Sequence, residues 1–195
     1  MKAGSRRGLN TLRALLTCVL LTAISNPLPT ARAESTATTE YAVKAAFLFH
    51  FAQFVEWPPE AFKDAGSPLT YCTVGDDPFH GALDQSVYSK SVGNRPLQVQ
   101  HLKQWQPTSG CQVLFIAESE NQRRGVELAG ASQYPVLTVG ESQYFVQQGG
   151  VIGFCLVENK VRFNINLEAA GKARLKISAK LLALAKTVIG NSGGK

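Results

Sequence analysis

The residues able to support covalent or metal chemistry are few in this chain, and their spacing points away from both. His50, His80 and His101 are the only histidines, and none sits in a zinc-type pair such as HxxxH. His50 lies in an aromatic, helix-like segment and reads as a hydrogen-bonded core residue rather than a ligand or base. No G-x-S-x-G elbow, phosphate-binding Walker loop or Cys-His nucleophile signature occurs. Ser178-Ala179-Lys180 is one residue short of S-x-x-K, which needs its lysine a full helical turn from the serine, so Ser178 reads as a helix cap. The expectation is a protein that is not an enzyme and holds neither metal nor cofactor.

Binding chemistry has better candidates. Gly75-Asp76-Asp77-Pro78 follows an apolar run over residues 69–74, and α/β sheets open ligand crevices at the carboxyl ends of their parallel strands. Gly75 allows close backbone approach, and a helix start just beyond supplies free N–H groups. Asp76 and Asp77 would repel an anion, and Asp-Pro is equally an ordinary turn. Gly140, followed by Glu141 and Ser142, repeats the arrangement after a later strand and is the candidate second wall. Arg162 and Asn164 alternate with Val161, Phe163 and Ile165, so both point from one strand face, toward a ligand, a partner backbone or solvent.

The elements that would position these groups follow from hydrophobic spacing. Residues 40–56 place Tyr41, Ala45, Leu48, Ala52 and Val55 at helical intervals, with Phe47, Phe49, Phe51 and Phe54 widening the apolar face. Such a helix is buried in the core or shared between core and an interface, and Pro58-Pro59 ends it. Residues 69–75, 97–102, 113–117 and 136–139 read as strands, with a short helix from Pro78 to Leu83 and a longer one over 121–132. Short, continuous apolar strands alternating with helices predict an α/β fold: one domain, a mixed, mostly parallel sheet, and helices on both faces. Residues 151–157 and 160–165 read as an antiparallel hairpin at the sheet edge, and 178–189 as a closing helix.

The first 33 residues read as an export signal. Lys2, Arg6, Arg7 and Arg13 form a basic start, 14–24 an apolar core, and Ala31-Arg32-Ala33 a small-x-small cleavage site. The core is too short to span a bilayer. Residues 34–39 are a polar, flexible lead-in, 40–190 the domain, and 191–195 a flexible tail. Removing the leader takes five of 20 basic residues and none of the 14 acidic ones, so the charge falls from +6 to about +1. That excludes a nucleic-acid partner, which would need a basic face. Of the three cysteines that remain, Cys72 and Cys111 stand at or near the start of apolar runs and form the preferred pair among three open pairings. Cys155 is left as an unpaired thiol. Such a bridge closes a loop of about forty residues, worth roughly 4 kcal/mol before strain.

Read together, several segments resemble the YfiR family of periplasmic signalling proteins: 41–58 (YAVKAAFLFHFAQFVEWP), 69–79, 111–116, 136–140, 161–167 and 175–182. They cover nearly all of the mature chain in order. The aromatic KAAFLxxFxxFxxWP helix followed by FxINL and LxIS..LL is the specific combination. The resemblance implies a non-catalytic repressor that binds the periplasmic sensor part of an inner-membrane diguanylate cyclase and lowers cyclic-di-GMP synthesis. It also implies an α/β fold, a homodimer, a disulfide matching Cys72 and Cys111, and an outer-membrane lipoprotein with a peptidoglycan-associated domain that sequesters the repressor. Some members carry a second disulfide, for which this chain offers only Cys155. Because interface cores are enriched in aromatics, Phe51, Phe54 and Trp57 are the expected partner surface. A periplasmic small-molecule sensor, with a crevice near Gly75 and Gly140, is the alternative from a different class.

Overall fold

Three strands whose every residue is buried form the centre of the molecule: β2 (Leu69–Val74), β5 (Val113–Ile116) and β6 (Leu137–Gly140). A computed structural model describes residues 31–107, 110–142 and 144–190. All but the last three residues of the expected leader, 1–33, and the whole expected tail, 191–195, lie outside the described residues. Parallel pairing joins β2 to β5, β5 to β6, and β2 to β4 (Arg95–Leu102). β6 pairs in parallel with β7 (Ile152–Val157), which turns back antiparallel into β8 (Lys160–Asn166). The hairpin turn is Glu158-Asn159, both at positive φ, the backbone that a tight two-residue connection requires. β10 (Thr187–Ile189) adds in parallel to β8, and β3 (Ser91–Val92) antiparallel to β4, giving the order β10-β8-β7-β6-β5-β2-β4-β3. A separate ladder pairs β1 (Val55–Glu56) with β9 (Lys176–Ile177).

Alternation along the strands divides the core between two faces. Tyr71, Val113, Phe115, Leu137 and Val139 face α1 (Ala31–Gln53), where Leu48, Phe51 and Ala52 meet them and Phe154 and Phe163. Cys72, Val74, Leu114 and Ile116 face the other way, onto Leu128 and Ala131 of α3 (Arg124–Ala131), Trp105 and Phe145. Each strand therefore needs apolar residues on both sides, which is why these runs are continuous rather than alternating. α2 (Ala82–Val87) adds Leu83 and Val87 to the first face. The mixed, mostly parallel α/β sheet is as expected, and it lies within one compact unit that begins at Glu34.

On the second face Cys72 and Cys111 are disulfide-bonded, Cα atoms 5.8 Å apart and 39 residues apart in sequence. Beside the bridge, the buried Gln112 side chain accepts from Thr70 N (2.8 Å) and donates to Ala61 O (2.7 Å). Its carbonyl accepts from Trp57 Nε1 at 3.1 Å and from Leu137 N at 2.8 Å. One residue thus ties β2, β6 and the exit of α1.

Several elements differ from the sequence reading. Helix α1 begins at Ala31, so residues 34–39 are helical rather than a lead-in, and it ends at Gln53, before the prolines. The closing segment is split. α5 (Ala179–Leu184) is capped by Ser178, whose Oγ accepts from Leu181 N, and Ala185 is extended. Lys186 N then donates to Phe163 O at 2.8 Å, and Thr187, Val188 and Ile189 form β10. The open edge of β8 and three β-branched residues in a row, Thr187, Val188 and Ile189, outweigh the helical spacing. The hairpin is consequently internal to the sheet and not its edge. α4 (Leu167–Lys172), capped by Asn166 through Ala169 N at 2.9 Å, had no counterpart in the sequence reading.

Candidate functional site

A cavity of about 630 Å³ lies where β6 stops and β7 runs on. β6 pairs with β7 only through Val139 and Gly140, opposite Ile152 and Gly153. Beyond that point Glu141 and Ser142 leave the end of β6, while Phe154, Cys155 and Leu156 continue β7, and both groups line the cavity. The turn that follows β6 is held by Phe145, fully buried. A Cβ on Gly140 or Gly150 would fall inside its ring, so both positions need glycine for this approach.

From the other side α1 delivers a buried lysine. Lys44 is 5 % exposed, and a lysine that deep requires partners. It is ion-paired with Glu40 one turn earlier and with Glu141 Oε1 at 3.0 Å, and its ammonium stands 4.4 Å from the centre of the Tyr41 ring. Tyr41 donates its hydroxyl to Glu141 Oε2 at 2.9 Å. Burial, then the neighbouring Glu141 charge, pushes the Tyr41 phenol well above its ordinary range, so it remains a donor at any physiological pH. The ammonium's three donors are thereby directed to two carboxylates and a ring face.

Asn164 of β8 also lines the cavity. Its Nδ2 makes only a 3.8 Å contact with Cys155 Sγ, and its buried Oδ1 has no hydrogen-bond partner. Cys155 is a free, half-buried thiol. Lys186, exposed, and Thr187 and Ile189 of β10 close the remaining side.

The residues expected from sequence are only partly brought together. Asn164 is at the cavity, and Gly140 sets the loop that carries Glu141. Gly75 (φ 91°) lies at the same carboxyl edge of the sheet, but the turn at 118–120 fills the space beside it, and a Cβ there would collide with Ser119 and Glu120. Asp76 N donates to Ser119 Oγ at 2.8 Å, and Asp77 Oδ1 accepts from Phe79 N at 3.1 Å. These two residues shape a turn and do not line the cavity; nor does Arg162, an exposed residue opposite Cys155 on the hairpin. Of the expected partner surface, Phe51 is wholly buried against Phe154 and Phe163, which corrects the expectation that it is exposed, whereas Phe54 and Trp57 are half-buried. The sequence reading missed Lys44, although a lysine at i+4 from Glu40 inside a largely apolar helix is a legible sign of a buried ion pair.

A second polar cluster has the composition of a relay: Thr73 Oγ1 lies 2.9 Å from His101 Nδ1, and His101 Nε2 lies 3.4 Å from Asp84. Thr73 is buried in the middle of β2, out of reach of a substrate. Among the described residues no group of three or more His, Cys, Asp or Glu side chains could hold a metal ion, and no helix is long and apolar enough to cross a membrane.

Comparison with known proteins matches residues 41–186 to the family described as YfiR/HmsC-like. No curated protein matches the sequence. Among solved structures, the ABC domain from Streptococcus pneumonia, crystallised in complex with L-Trp, superposes with a TM-score of 0.50 at 9% identity, over 77% of this chain and 62% of that one. A conserved domain protein from Vibrio cholerae O1 biovar El Tor gives 0.46 at 11% identity, over 62% and 54% respectively. The match therefore spans less than two thirds of either neighbour, and the first likeness concerns the general fold alone.

Proposed function

Because the chain belongs to the YfiR/HmsC-like family, a family of periplasmic regulators in the cyclic-di-GMP system, we propose that it represses an inner-membrane diguanylate cyclase by binding its periplasmic sensor part. The observation that carries this reading is the family match across 41–186, nearly the whole folded unit. Repression of this kind is a population shift: the protein must bind the inactive cyclase more tightly than the active one, and moving a 1:99 mixture to 99:1 takes about 5.5 kcal/mol of differential affinity.

The outward side of α1 supports a contact surface. Val43 is 41 % exposed, and with half-buried Phe47 and Val161 it borders a groove of about 530 Å³ between α1 and the tip of the hairpin. Half-buried Phe54 and Trp57 lie at the exit of the same helix. The outer-membrane lipoprotein with a peptidoglycan-associated domain would relieve repression by competing for the same face, and the repressor would act as a homodimer.

The test is crosslinking in the native cell envelope followed by mass spectrometry of what the protein retains. A membrane protein carrying a diguanylate cyclase domain is the expected partner, and Val43→Asp should cut its retention at least tenfold without altering the fold. An intact, folded bait that retains no such protein would overturn the repressor reading in favour of a small-molecule sensor, which the cavity at Glu141 favours.

A further inference from the structure

Charge is divided unevenly along the chain. Residues 34–150 hold seven lysines and arginines against twelve acidic residues, a net −5, whereas residues 151–190 hold seven against two, a net +5. An asymmetry of this size within one fold points to a surface that meets something of opposite charge. Partners inside the protein take up part of the excess. Lys172 is paired with Glu168, Arg174 with Glu60, and Lys176 stands opposite Glu56 in the β1–β9 ladder. Lys160, Arg162, Lys180 and Lys186 are exposed and have no ion pair among the described residues, and of the two acids only Glu158, at the hairpin turn, is likewise free.

Topology gathers these four cations at one corner of the sheet. β10 covers β8 only from Phe163 onward, where Lys186 N donates to Phe163 O, so Lys160 and Arg162 stand on a stretch of β8 whose outer edge is open. Three residues of strand, roughly 10 Å, separate the level of Lys160 from that of Lys186. Lys186 follows α5 by two residues, and on that helix Lys180 and Leu184 share one face, four residues apart. Leu184 is 64 % exposed and Val188 39 %, so Lys186 lies between two apolar side chains. Neither of these lines the Glu141 cavity or the α1 groove.

We infer that this corner docks on an anionic phospholipid surface, the four cations lying among the headgroup phosphates and Leu184 and Val188 entering the apolar boundary beneath them. Lysine is a flexible point charge that fixes no partner geometry. Protruding apolar side chains with no hollow around them suit a fluid layer better than a rigid protein face. The assignment goes beyond the repressor reading and is tested without a cyclase. The corner adjoins the α1 groove at Lys160, so a docked molecule carries that groove close to the bilayer.

The experiment is cosedimentation of the purified protein with vesicles of phosphatidylcholine and phosphatidylglycerol in equal parts and, separately, of phosphatidylcholine alone. The mixed vesicles should bind roughly tenfold more tightly or better, and salt at about 1 M, where the Debye length is about 3 Å, should release the protein. Lys160→Glu with Lys186→Glu should cut binding roughly tenfold or more, and Leu184→Ser several-fold. Lys63→Glu with Lys103→Glu makes the same change of net charge on exposed residues beside β2 and β4, toward the opposite end of the sheet, and should cost less than about twofold. All five positions are exposed, and unchanged melting temperatures establish that each variant is folded before binding is read. Equal binding to both vesicles, no binding, or equal losses in the two charge-reversed pairs would overturn the assignment. Absence of vesicle binding, with an acidic protein crosslinked to the native chain and lost from the Lys160→Glu, Lys186→Glu variant, would overturn it in favour of a protein partner at the same corner.

Discussion

Two amides, buried Gln112 and half-buried Asn164, divide the molecule into a closed half and an open one. Gln112 sits beside the Cys72–Cys111 bridge with both ends of its side chain and its carbonyl engaged. Asn164 sits on the hairpin side with its oxygen unpaired, next to a free thiol and facing a cavity. The closed half is fully packed strands and a covalent staple; the open half has a strand that outruns its neighbour and leaves Leu156 half exposed. A buried polar group whose partners are all internal stabilises; one left unpaired is a local cost of about 1–3 kcal/mol that the rest of the fold carries.

That contrast is open to direct attack. The largest effect belongs to the staple: replacing Cys72 and Cys111 together by Ala should lower unfolding free energy by about 4 kcal/mol, read from denaturant midpoints. Gln112→Leu comes next, since it removes the side-chain partner of both Thr70 N and Ala61 O; a loss of about 3 kcal/mol is expected. A loss under about 1 kcal/mol would dissolve the distinction between the halves. Glu127, buried on α3 near Trp105, gives a smaller, pH-dependent signature. Burial raises its carboxyl above the ordinary value of 4.5, against the pull of Arg123. The folded chain therefore takes up this proton more readily than the unfolded one. Stability should increase as pH falls from the raised folded value toward 4.5, and Glu127→Gln should remove that part of the slope in a pH series of melting curves. The smallest effect is expected at the other amide: Asn164→Leu should leave the melting temperature unchanged or slightly higher, because no partner is lost.

Much of the closed half was readable before any coordinates. Residues 69–74 and 113–116 are continuous apolar runs because both faces of their strands are covered, and continuity is visible in a sequence. The hairpin was equally plain from two strand-like runs around Glu158-Asn159. What escaped depended on neighbours distant along the chain. Leu181, Leu182, Leu184 and Val188 keep helical spacing, yet Thr187–Ile189 became a strand because β8 offered an open edge. Gly75 had every local mark of a crevice, and only the fold places the 118–120 turn against it. An all-round aromatic helix does not declare which ring faces inward, so Phe51 and Phe54 could not be told apart. The Glu40–Lys44 pair is local and legible, but Glu141 lies 97 residues from Lys44, and nothing in either segment announces the other.

The packing of Phe51 against Phe154 and Phe163 has a consequence during synthesis. Its ring lies 5.7 and 5.0 Å from theirs, yet about 110 residues of chain separate Phe51 from Phe163. At typical elongation rates of about 5–20 residues per second, the aromatic helix emerges roughly 6–20 s before its final cover. For that interval one of the stickiest segments in the sequence is without its native shelter. For a chain read as exported the wait is longer still, because the cover closes only once Phe154 and Phe163 have followed the helix across the membrane, and the unfolded protein should depend on a holding chaperone until then.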